Sequence, residues 1–137
     1  MARLIEFFLN HWILSGLWLA MFGTLLAYMN AKAGKSLSPQ QATMVVNREN
    51  GVILDVREHK DFEKGHIVDA INIPMAKLAE RAVELDKKKA NPVIVVCQMG
   101  QNSGEAVKLL TERGFSRVNK MAGGMAEWHA QGLPVVK

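Results

Sequence analysis

Apolar residues follow three different rhythms along this chain. From Trp12 to Met29 they run with no charged residue, interrupted only by the hydroxyls of Ser15, Thr24 and Tyr28. That run falls within the ~17–25 residues that a helix needs to cross a bilayer. Elsewhere the apolar runs are short and unbroken, as in Val52-Ile53-Leu54 and Val93-Ile94-Val95-Val96. Runs of this kind suit strands buried on both faces of a parallel sheet covered by helices. The third rhythm is helical: Ala42, Val45 and Val46; Leu78, Ala82 and Leu85; Ala106, Leu109 and Leu110.

Punctuation residues fix the ends of these segments. Ser38-Pro39-Gln40-Gln41 places a serine N-cap, a proline at the first helical position and a glutamine to close a capping box, so a helix is predicted to about Asn47. Asn50-Gly51 turns the chain into the Val52 strand, and Ala70 to Ile73 alternates as a strand that Pro74 ends. Met75 to Asp86 is read as a helix, Ser103 to Arg113 as a second that Gly114 stops, and Gly124 to Gln131 as a last one, with a short strand between Phe115 and Met121. Alternating strands and helices predict an α/β fold: an open, mostly parallel sheet with helices on both faces, preceded by one transmembrane helix. The predicted organisation is an anchor at residues 1–30, a linker at 31–36 and a folded domain at 37–137.

The N-terminal run carries further detail. Trp12 and Tyr28 lie near its ends, where amphipathic rings favour the headgroup layer. Gly16, Ala20, Gly23 and Ala27 fall on one side of a helix, the small-xxx-small spacing that permits close contact with another transmembrane helix. A cleaved signal peptide is the competing reading, since Ala31-Lys32-Ala33 loosely matches a cleavage site. The length of the run, Glu6 in its leader and Lys32 within that site favour an uncleaved anchor. Only Arg3 precedes the span, whereas Lys32, Lys35 and Arg48 follow it, which puts the N-terminus outside and the folded domain in the cytoplasm.

Composition narrows the chemistry. The 137 residues allow one domain with a modest core, and the net charge of +4 is mild. Lys87-Lys88-Lys89 is the sole basic run and is read as a solvated loop, so no nucleic-acid partner is expected. Cys97 is the only cysteine, which excludes an internal disulfide and fits a reducing compartment. His59, His66 and His129 are scattered, and no metal site is expected.

The candidate nucleophile follows from position. Cys97 comes directly after the Val93–Val96 strand and is followed by Gln98-Met99-Gly100-Gln101-Asn102, too polar to extend a strand. Ser103 then opens a helix. Catalytic groups in parallel α/β sheets gather at the carboxyl ends of strands. A sulfur there faces unpaired backbone N–H groups, which favour its anionic form. Asp55 and Arg57 sit at the end of the Val52 strand, near the sheet edge where Cys97 emerges. Arg57 is a candidate ligand for a substrate anion, while Asp55 is read as a structural carboxylate, since buried carboxylates persist only when paired. His66, after Gly65, is read as a hydrogen-bonded structural histidine rather than a base.

Several of these segments together resemble a known family. Cys97-Gln98-Met99-Gly100-Gln101-Asn102-Ser103 resembles the active-site loop of single-domain rhodaneses, sulfurtransferases that carry a persulfide on one cysteine. Leu54-Asp55-Val56-Arg57, Asp61 to Ile67 and Ala70 to Pro74 resemble the family's first signature, and Gly123-Gly124-Met125-Ala126-Glu127-Trp128 its last. The resemblance covers roughly residues 37 to 137. It implies Cys97 as catalytic residue and a substrate cradle made by Gln98, Met99, Gly100, Gln101, Asn102 and Ser103, to which Arg57 is added as the candidate anion ligand read from its position. In the family the Asp55–Arg57 pair is largely architectural, and Asp55, His66 and Trp128 are expected to be structural. The resemblance also implies no cofactor beyond the covalent persulfide, and small-molecule or protein donors and acceptors of sulfur. With the span, the expected location is a bacterial inner membrane.

The sequence departs from the family at two positions. Many members place Arg where Asn102 stands and a basic residue where Gln98 stands, so a dianion such as thiosulfate is expected to bind weakly. A cysteine phosphatase is excluded, because no Arg lies between Cys97 and Arg113 to clamp a phosphate. The alternative from another class is a membrane-anchored binding module with little or no catalysis.

Overall fold

The structure is a computed structural model that describes residues 1–32 and 35–137. The chain divides into two units, Met1–Lys32 and Ala33–Lys137. The first holds helix α1 (Ala2–Asn10) and helix α2 (Trp12–Lys32), separated at His11, whose φ of −118° and ψ of 42° leave the helical region. The stretch read from sequence as a single helix is therefore two. Within α2, Trp12–Met29 has a mean hydropathy of 1.6 and buries none of its residues, so this one helix is long and apolar enough to cross a membrane.

The second unit is a five-stranded sheet in which every pairing is parallel. Its strands are β1 (Lys35–Leu37), β2 (Val52–Asp55), β3 (Ile71–Asn72), β4 (Val93–Val96) and β5 (Val118–Met121), in the order β1-β5-β4-β2-β3. Strand β4 is central and all four of its residues are fully buried. Alternation divides its contacts. Val93 and Val95 pack with Leu54, Ala106, Val107 and Leu110 on one face; Ile94 and Val96 pack with Ile53, Ala42, Met121 and Met125 on the other. Each fully buried valine or isoleucine contributes about 1.5–3 kcal/mol, so β4 anchors both layers.

The helices follow their sequence signals closely. Helix α3 (Pro39–Glu49) begins with the capping box: Ser38 Oγ accepts from the Gln41 N–H, and Gln41 Oε1 accepts from the Ser38 N–H. Asn50 closes it in the left-handed conformation that asparagine tolerates. Helix α6 (Ser103–Glu112) buries Ala106, Val107 and Leu110, and Gly114 at φ +106° ends it. Helix α7 (Gly124–Ala130) buries Met125 and Trp128.

Three elements differ from the expectation. Lys35 and Ser36, read as part of the linker, join Leu37 in β1 and pair with Asn119, Lys120 and Met121; residues 31–32 of that linker end α2, and Ala33 and Gly34 lie outside the described residues. The short helix α4 (His59–Lys64) comes after β2 and has no buried residue to mark it in the sequence. The Met75–Asp86 helix is instead a 3₁₀ turn, helix α5 (Leu78–Arg81) and a further 3₁₀ stretch over Ala82–Lys88. Leu78, Ala82 and Leu85 are nonetheless all buried, because three residues per 3₁₀ turn keep Ala82 and Leu85 on one face.

Strand order also positions the site. The chain leaves β2 toward β3 on one side and leaves β4 toward β5 on the other. The loops after these two adjacent strands diverge, opening the crevice in which parallel α/β proteins hold their ligands.

Candidate active site

Cys97 sits at the first position after β4, with 4% of its surface exposed. Its Sγ accepts the Gly100 N–H at 2.8 Å. For the chain to return that far in three residues, Gly100 takes φ +88°, a conformation that a side chain would strain. The Ser103 hydroxyl donates to the Gly100 carbonyl at 3.0 Å, so Gly100 is held at both ends. Ser103, expected to line the cradle, is fully buried and turned to this structural bond. Gln98, Met99, Gln101 and Asn102 are exposed around it, Met99 by 64%.

The other side of the loop rests on the start of α7. The Met125 N–H donates to the Cys97 carbonyl at 2.8 Å and the Ala126 N–H to the Gln98 carbonyl at 2.9 Å. This approach requires glycine. A Cβ on Gly124 would stand 2.2 Å from the Cys97 carbonyl oxygen, and φ there is +58°. The Gly123-Gly124 pair therefore sets the position of the cysteine backbone. Its sequence signal was the family signature; no local periodicity pointed to it.

The end of β2 is built differently. Asp55 and Arg57 are 1% and 8% exposed. The Arg57 Nε donates to Asp55 at 3.0 and 3.1 Å, and Nη2 donates to Asp55 Oδ2 at 2.7 Å and to the Gly65 carbonyl at 2.9 Å. The Arg57 backbone N–H also donates to Asp55 Oδ1. Asn72, from β3, donates to the carbonyls of Asp55 and Arg57 at 3.1 and 3.0 Å. Only Nη1 of Arg57 turns toward the cysteine loop, 3.5 Å from Gln98 Oε1. A cleft of about 380 Å³ lies on this side of the loop, lined by Arg57, Asp61, Lys64, Gly65, Gln98 and His129.

His66 stands apart from the sulfur. Its ring stacks on Phe62 with centroids 3.7 Å apart, its Nδ1 lies 2.8 Å from the Phe62 carbonyl, and its backbone bridges Val136. Trp128 is 6% exposed, and its Nε1 donates to the Pro134 carbonyl at 3.0 Å, fastening the C-terminal segment to α7. In the first unit, Gly16, Ala20, Gly23 and Ala27 are exposed on α2, and a Cβ at Gly16 or Gly23 would meet nothing within 4 Å.

Comparison with known proteins agrees with this geometry. The family model described as rhodanese-like domain matches residues 38–131. YibN of Escherichia coli K12, an uncharacterized protein, is 35% identical over 142 residues, covering 100% of this chain and 99% of its own. The thiosulfate sulfurtransferase GlpE of Coxiella burnetii is 38% identical over 96 residues, 70% of this chain and 88% of its own. A rhodanese-related protein from Thermoplasma volcanium superposes with a TM-score of 0.66 at 30% identity, covering 74% of this chain and 97% of that structure.

Proposed function

Because the chain belongs to the rhodanese-like domain family, we propose that it is a sulfurtransferase that carries sulfane sulfur as a persulfide on Cys97. The observation that carries this reading is the Gly100 N–H directed at Cys97 Sγ where β4 meets its loop. A backbone donor there suits a sulfur that takes on negative charge during exchange.

Two displacements complete the cycle. The Cys97 thiolate attacks the outer sulfur of thiosulfate; the S–S bond of the donor breaks and sulfite leaves with the electron pair. The thiolate of an acceptor, or cyanide, then attacks the terminal sulfur, and Cys97 departs as a thiolate. No electrons are gained or lost overall, and no metal or organic cofactor takes part. The small exposure of Cys97 favours attackers that present a narrow sulfur. Gln98, Met99, Gln101 and Asn102 form the rim that such a donor meets, and Arg57 reaches that rim only through Nη1.

Asn102 supplies hydrogen bonds without charge, so a persulfide or a carrier protein fits the role of physiological donor better than thiosulfate. In this reading α2 tethers the enzyme in a bacterial inner membrane with the N-terminus outside and the sheet domain in the cytoplasm. The face of Gly16, Ala20, Gly23 and Ala27 packs against another transmembrane helix.

A second reading draws on the same uncharged rim and on the small-residue face: a membrane-anchored binding module with little catalysis. One variant separates the two. In cells lacking the native gene, Cys97→Ser removes the phenotype-restoring function of an enzyme and leaves that of a binding module intact. Intact mass of the membrane-bound protein tests the tether, which loss of the N-terminal thirty-odd residues would end.

A further inference from the structure

Helix α1 is two-faced in a way that a plain anchor does not need. Arg3, Glu6 and Asn10 fall at i, i+3 and i+7 and form one narrow stripe. Leu4, Ile5 and Phe8 occupy the opposite side, with Phe7 and Leu9 on its flanks, and all five are 55–71% exposed. No residue of α1 is buried.

The length of α2 decides what can cover that side. Its apolar window Trp12–Met29 has 18 residues, about 27 Å of helix, which nearly fills a hydrocarbon core of about 30 Å. Were α1 to continue in line, either its apolar side would stand in water or Arg3 and Glu6 would enter hydrocarbon, and both are costly. The break at His11 removes that conflict. It leaves an apolar cleft of about 460 Å³ in the crook between the helices, lined by Phe7, Phe8, Leu14, Ser15, Trp18 and Leu19. Ser15 is the one residue of that lining with a hydroxyl.

We propose that α1 is an interfacial helix: it lies along the headgroup layer of the leaflet that α2 enters first, with Leu4, Ile5 and Phe8 down and a phospholipid acyl chain in the crook. Arg3 then faces lipid phosphates from the polar side. The inference rests on α2 being a membrane tether. It adds a second attachment that fixes the depth of α2, since the helix can slide no further than α1 allows.

The test uses the full-length protein in vesicles of phosphatidylethanolamine and phosphatidylglycerol. On a Cys97→Ser background, nitroxide labels are attached after Leu4→Cys, Ile5→Cys and Phe8→Cys, and after Arg3→Cys, Glu6→Cys and Asn10→Cys. Leu19→Cys and Phe22→Cys report on α2. The expected result is collision with lipid-soluble oxygen at positions 4, 5 and 8, and with a water-soluble nickel chelate at 3, 6 and 10, a period of about 3.6 residues. Labels on α1 that all report water, or that all report lipid without a period, overturn the proposal while those on α2 still report lipid. Water at positions 19 and 22 instead overturns the tether itself, and this inference with it.

Discussion

Two neighbouring strands of one sheet end in opposite ways. At the end of β2, the carboxylate of Asp55 takes bonds from the backbone and side chain of Arg57, Arg57 also donates to the Gly65 carbonyl, and Asn72 donates to the carbonyls of Asp55 and Arg57. At the end of β4, among the described residues, one backbone N–H serves the sulfur of Cys97, and Gln98, Gln101 and Asn102 of the loop are exposed. The strands are in direct register, Asp55 beside Val96. The difference lies in how fully each polar group is satisfied. A closed network stiffens the crevice wall; a sulfur with a single donor is left free to exchange bonds.

Breaking the closed side has the largest expected effect. Arg57→Ala leaves the Asp55 carboxylate buried without its partner, and loss of one member of a buried pair costs about 3–5 kcal/mol. Chemical denaturation should show that loss, whereas Cys97→Ser should unfold close to wild type. Equal losses in both would erase the contrast between the two strand ends.

The junction of loop and α7 comes next. Gly124→Ala must adopt a left-handed backbone, which costs about 1–2 kcal/mol, and must also push its Cβ away from the Cys97 carbonyl. Gly132→Ala provides the control, with φ +66° but no atom within 4 Å of the added carbon. Both variants should lose stability, and only Gly124→Ala should lose sulfur transfer beyond that loss. A matching drop in activity for Gly132→Ala would remove Gly124 from the positioning of the sulfur.

Smaller effects sharpen the open side. Asn102→Arg adds a charged donor at the rim, and one charge-assisted hydrogen bond corresponds to roughly tenfold in kcat/KM for thiosulfate. No gain in steady-state turnover with cyanide as acceptor would contradict the link between Asn102 and weak thiosulfate binding. The smallest change is far from the crevice. The Arg113 guanidinium holds the Asp86 carboxyl below its ordinary value of 3.8. The unfolded state then binds the proton more readily, so the stabilisation is full above pH 3.8 and is lost as pH falls through the lower folded value. Asp86→Asn should cost little in a thermal melt at neutral pH, and the gap to wild type should close in acid.

Much of this arrangement was legible in the residues themselves. The uninterrupted Val93–Val96 run marked the central strand, and the Ser38 capping box marked the start of α3. What stayed hidden depends on partners distant in sequence. Lys35-Ser36-Leu37 has too few apolar positions to show alternation, and it is a strand because β5 offers its edge. Helix α4 is short, polar and unburied, so it carries no period. Gly124 reads as an ordinary helix-start glycine until the Cys97 carbonyl is brought against it. Ser103 was also hard to orient from sequence: its place in the loop puts it among the cradle residues, and its side chain turns inward to the Gly100 carbonyl. The break at His11 was equally invisible in a profile that is apolar on both sides.

Sulfur transfer by this chain requires that the sulfur of Cys97 carry a second one. Intact-mass spectrometry after incubation with a persulfide donor, and separately with thiosulfate, reads this directly. The expected result is a gain of one sulfur atom that maps to Cys97, is absent in Cys97→Ser and is removed by cyanide as thiocyanate. A folded wild-type protein that takes up no sulfur from either donor would contradict it.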